Sequence, residues 1–149
     1  MHLALLVSVL ASQYALYCSG LSFPWYPGPL SLLALAASAL LSFALIGPLG
    51  LWYAVSAFLQ ELTMCSIACY LLHIFPVSAV VLLVVPVFVA CHFLSLKNWK
   101  LKLLLVTLWG VASVVLFAAT RNVYLIAALH TLFGAVLISR SFLYLPEAA

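Results

Sequence analysis

Six apolar stretches, each near bilayer-crossing length, follow one another through this chain with only short turn-forming or basic punctuation between them. A spanning helix needs about 20 mainly apolar residues. The first stretch runs roughly from His2 to Tyr17 and ends in Phe23-Pro24-Trp25-Tyr26-Pro27-Gly28-Pro29, where prolines stop helices and Trp and Tyr suit a membrane interface. The second spans about Leu30 to Ile46 and stops at Gly47-Pro48-Leu49-Gly50. The third, Leu51 to Phe75, is separated by Pro76 from the fourth, about Val77 to Leu96. A basic loop, Lys97 to Lys102, precedes the fifth, about Leu103 to Ala119. Thr120-Arg121-Asn122 turns the chain into the sixth, roughly Val123 to Tyr144. The expected fold class is therefore all-α: a polytopic membrane bundle of about six transmembrane helices, residues 1–149 forming one domain.

Composition agrees. The chain is 69% hydrophobic and 5% charged, which excludes an ordinary soluble domain. The net charge of +3 comes from Lys97, Lys100, Lys102, Arg121 and Arg140 against Glu61 and Glu147. There is no charged tail and no nucleic-acid footprint. With the N-terminus inside, four of these basic residues fall on the cytoplasmic side and Arg121 outside, as the positive-inside rule favours. The expectation is N-in and C-in. Met1 to Gly20 lacks a basic n-region and has a long apolar run, so it reads as a retained helix and not as a signal peptide. Cys18, Cys65, Cys69 and Cys91 have no zinc-finger spacing and no readable disulfide pattern. Ala34, Ser38 and Ser42 recur at four-residue steps, a small-residue stripe that lets helix backbones approach closely.

Glu61 stands alone inside the third apolar stretch. It lies roughly 15 Å from the start of that stretch at the α-helical rise, close to the midplane. A carboxylate at the bilayer centre costs about 2.5–3.5 kcal/mol even on lenient insertion scales, and normally faces a protein interior or a wet cavity. His130 and His92 lie at depths of roughly 11 and 6 Å in their own helices, so modest tilts bring the three to one level. Each also has a structural reading: Glu61 as a buried hydrogen-bonding residue, the histidines as packing residues, Gln60 as a bond to a neighbouring helix, and Arg121 with Asn122 as a solvated turn. Cys65 and Cys69 share a helix face with Glu61. That raises a metal or redox site with His92, although free cysteines usually pack as small hydrophobes.

The order and spacing of these residues resemble the CPBP (Abi) family of intramembrane proteases, which includes CAAX prenyl endopeptidases and bacteriocin-processing relatives. Phe88-Val89-Ala90-Cys91-His92 fits the family motif FxxxH. Gln60-Glu61-Leu62-Thr63-Met64-Cys65 corresponds to EExxxR, with Gln60 and Cys65 as departures. His130-Thr131-Leu132-Phe133-Gly134 corresponds to HxxxN, with Gly134 in place of asparagine. The resemblance covers about residues 57–138. The small size is similar to a compact prokaryotic branch associated with C-terminal sorting signals, such as the JDVT-CTERM systems.

The resemblance implies a glutamic-type endopeptidase of the prokaryotic cytoplasmic (inner) membrane. It would cleave a membrane-anchored protein or sorting-signal segment and need no cofactor. Glu61 and His92 would activate water, with His130 as hydrogen-bond donor to the oxyanion. Gly134 offers no side-chain donor, so a backbone N–H, Asn122 or Thr131 would compensate. Two other readings stand beside this one: a catalytically inactive membrane scaffold or immunity protein, and a metal-binding membrane protein using Cys65, Cys69, His92 and His130.

Overall fold

In a computed structural model the described residues, 2–25, 27–93 and 99–140, contain six helices and no strand. They are α1 (His2–Cys18), α2 (Pro29–Ile46), α3 (Pro48–Leu71), α4 (Val77–Phe93), α5 (Trp99–Thr120) and α6 (Val123–Ser139). Three of them, in α2, α3 and α5, are long and apolar enough to cross a membrane, and the other three are shorter apolar helices. Tyr26, residues 94–98 and residues 141–149 lie outside the described residues, so the expected ends of the fourth and sixth stretches, Lys97 and Glu147 do too.

Several boundaries differ from the sequence reading; among them, α3 ends at Leu71 and not at Phe75. Gly47-Pro48 does not open a loop of four residues; Gly47, at φ 68°, is a single-residue hinge, and Pro48 begins α3. Proline suits this first position because its missing N–H would have no partner there. The basic segment likewise contributes Lys100 and Lys102 to the first turns of α5, and Lys102 is buried. The linker before α2 is also less interfacial than its aromatics suggest: Trp25 is exposed, but Phe23 is buried and its ring stacks on Phe117, centroids 6.0 Å apart.

Helix α3 is the hub, packing against all five other helices. Small residues make this possible. Gly50, Ala54, Ser56, Ala57, Ser66 and Ala68 are all buried along α3. Helix α2 buries Ser31, Ser38 and Ser42, and α6 answers with Ala127, Ala128, Thr131, Gly134 and Ala135. Without a hydrophobic drive between helices in lipid, close backbone approach and interhelical hydrogen bonds carry the packing. The Ser42 hydroxyl donates to the Gly50 carbonyl at 3.1 Å, and Gln13 of α1 donates to Ser66 of α3. The outward faces are apolar: Leu30, Leu33, Leu40, Leu82 and Leu104 are all exposed.

The turn between α5 and α6 is anchored, not merely solvated. Arg121 adopts φ 51° and holds its guanidinium 5.7 Å from the Phe117 ring centroid. Asn122 caps α6 by accepting the Leu125 N–H at 3.1 Å, and its amide donates to Ser31 of α2 at 2.6 Å. These contacts fix where α6 starts, and hence the level at which His130 meets α3.

Candidate functional site

Glu61 is completely buried, yet it is not alone. The His130 Nδ1–H, from α6, donates to its Oε1 at 2.7 Å. The Trp109 indole N–H, from α5, donates to the same oxygen at 2.7 Å. The Ser113 hydroxyl donates to Oε2. Trp109 and Ser113 are four residues apart, so they share one face of α5 and grip the carboxylate together. Three donors from two helices therefore close on one acceptor group of a third. This offsets the cost of placing a carboxylate in a low-dielectric interior.

The expected meeting of Glu61 and His130 is thus direct. His92 is placed differently. Its Nδ1–H donates to the Phe88 carbonyl at 2.7 Å, one turn back on α4, which leaves Nε2 as the acceptor nitrogen. The half-buried His92 ring lies against the Phe88 ring, centroids 4.3 Å apart. Phe88 in turn lies edge-on to His130 at 6.3 Å. Phe88 is the ring linking the two imidazoles. Helix α4 reaches this position because Gly110 lets it approach α5; a Cβ on Gly110 would stand 3.2 Å from Phe88 and from Val85.

Other sequence candidates take separate places. Cys65 is buried one turn after Glu61. Gln60 is half-buried and, one residue before Glu61, sits about 100° away around the helix. Asn122 does not reach the site: its side chain is spent on the α6 cap and Ser31, and it lies eight residues, about 12 Å of helix, from His130. Thr131 is also committed, donating to the Ala127 carbonyl at 2.8 Å. Gly134 lies directly against the Tyr53 hydroxyl, which a Cβ there would overlap. Among the described residues no group of three or more His, Cys, Asp or Glu side chains is arranged to hold a metal ion, so the Cys65/Cys69/His92/His130 set does not assemble.

Trp109, Ser113 and Tyr53 were not among the sequence candidates. The available signal was the pair Trp109 and Ser113, side-chain donors at four-residue spacing inside an apolar helix. Replacing Trp109 by phenylalanine keeps most of its stacking on Phe133, where the rings lie 5.6 Å apart, and removes one donor to Glu61. Interhelical hydrogen bonds in membranes average about 0.6 kcal/mol and reach about 1.7. A loss in that range is the expected result in reversible unfolding from detergent micelles; an unchanged unfolding curve would argue against the bond. Comparison with protein-family models, with curated proteins and with solved structures finds no match to this chain.

Proposed function

We propose that this protein is an intramembrane peptidase that hydrolyses a membrane-anchored protein or C-terminal sorting segment. The observation that carries the reading is the buried Glu61–His130 pair, held at 2.7 Å with two further donors on the carboxylate. The resemblance of the Glu61, His92 and His130 series to the CPBP proteases gives the pair its reaction class. A carboxylate accepting from Nδ1 fixes the imidazole tautomer and turns the Nε2 lone pair toward the reactant, the arrangement of an oriented general base. In this scheme Glu61 orients and His130 takes the proton, a change from the direct Glu61–water contact that the resemblance implies. Water loses a proton to His130 Nε2, and its oxygen adds to the scissile carbonyl carbon. As the C–N bond breaks, the imidazolium returns the proton to the leaving amine. His92, across the Phe88 ring, positions the water or the leaving group.

The membrane setting is part of the proposal. All six helices cross the bilayer. The 17-residue helices α1, α4 and α6 reach about 25 Å, a mismatch that bilayer thinning absorbs at modest cost. Both termini lie in the cytoplasm, with Lys97, Lys100, Lys102 and Arg140 on that side, and the membrane is the prokaryotic inner membrane.

The test is cleavage of a co-expressed, membrane-anchored reporter. His130→Ala is expected to lower cleavage about 10²–10⁴-fold, the usual contribution of a positioned acid–base group, and His92→Ala to lower it as well. Unchanged cleavage in both variants would reject the assignment. A second reading is a non-enzymatic membrane scaffold, and the observation in its favour is that Glu61 has no exposed surface and both carboxylate oxygens already bonded. A binding or protective phenotype that survives alanine at Glu61, His92 and His130 would select the scaffold.

A further inference from the structure

Tyr53 lies on α3 eight residues before Glu61, just over two turns earlier and about 80° around the helix. Its ring stands edge-on to the His130 imidazole, centroids 6.2 Å apart and planes at 78°. Its hydroxyl rests on Gly134, one turn beyond His130 on α6, at a point where a Cβ would occupy the oxygen's place. Glycine at this position therefore admits the phenol. The hydroxyls around Glu61 and His130 are already donating: Ser113 to Glu61 and Thr131 to Ala127. The half-buried Tyr53 makes no hydrogen bond to a described residue. An O–H donor without an acceptor among the described residues thus sits one helical turn from the imidazole, along the same edge of α6.

We propose that the Tyr53 hydroxyl is a further catalytic group of this site, donating a hydrogen bond to the substrate's scissile carbonyl oxygen as negative charge builds on it. The proposal rests on the hydrolase reading above. His130 removes the proton from water; the electron pair of the carbonyl π bond moves to oxygen; the Tyr53 O–H stabilises that oxygen without transferring its proton. The charge returns to the carbonyl as the C–N bond breaks. Gly134 is the matching part of the design, because only a residue without Cβ leaves the phenol room to stand beside His130.

Tyr53→Phe removes the donor and keeps the ring. In purified, detergent-solubilised protein with a fluorogenic membrane-segment peptide, kcat is expected to fall about 10²-fold, the low end for loss of one oxyanion donor. KM and the thermal midpoint should stay near those of the unsubstituted protein. A kcat within about twofold of the unsubstituted protein while His130→Ala abolishes cleavage would overturn the role of Tyr53 and leave the hydrolase reading standing. A fall in thermal midpoint that accounts for the lost activity would make the hydroxyl structural and also overturn it. Failure of the unsubstituted protein to cleave would remove both readings together.

Discussion

Glu61→Ala is expected to abolish cleavage and to loosen the bundle at the same time. It strands the Trp109 indole N–H, the Ser113 hydroxyl and His130 Nδ1 around an empty acceptor position. Three interhelical hydrogen bonds at membrane magnitudes amount to roughly 2–5 kcal/mol. Glu61→Gln separates the two effects. The glutamine carbonyl can still accept from Trp109 and His130, and its amide can bond the Ser113 oxygen, so most of the packing survives. What disappears is the negative charge that stabilises a protonated His130. The expected outcome is near-normal unfolding with cleavage reduced about 10²-fold or more. Unfolding in detergent and reporter cleavage, measured on both variants, check this. Full cleavage by Glu61→Gln would leave the carboxylate a purely structural role.

Gly50→Ala is the second large effect. A Cβ at this position would overlap the backbone carbonyl of Ser42. Backbone cannot swing aside as a side-chain tip can, so α2 and α3 must separate around the Gly47 hinge. Overpacking of a close interface typically costs about 1–3 kcal/mol, and the rigidity of this contact places the variant at the upper end. The Ser42–Gly50 hydrogen bond would be lost with it. Gly28→Ala is the control, since the nearest atom to its Cβ is the Ser31 hydroxyl oxygen at 3.9 Å; its unfolding midpoint should barely move. A Gly50→Ala protein as stable as this control would contradict the close α2–α3 approach.

Much of the helical order is legible because apolar run length and proline punctuation are strong signals. Glu61 and His130 are legible for a different reason: an ionisable group amid apolar residues needs a partner, and few are available. Trp109 and Ser113 are harder to see, because serine and tryptophan in an apolar helix read as readily as packing residues; only their shared face and the position of Glu61 on α3 give them a role. Asn122 shows a distant expectation overruled by a local signal. Its place just before an apolar run is that of an N-cap, and it serves as one, while the family pattern suggests a donor at the site. Phe88 and His92 are consistent on both levels, since four-residue spacing puts ring on ring and the His92 N–H on the Phe88 carbonyl. Tyr53 leaves no mark in the sequence, because its relevance depends on what is missing from Gly134.

The central claim, that Glu61 draws α5 and α6 onto α3 through buried hydrogen bonds, is tested most directly at the Trp109 indole N–H. Hydrogen exchange of this proton, followed by NMR in detergent and assigned through Trp109→Phe, reports the bond to Glu61 itself. The account predicts a slowly exchanging proton in the unsubstituted protein and rapid exchange in Glu61→Ala. Rapid exchange in both, or equal protection in both, would contradict it.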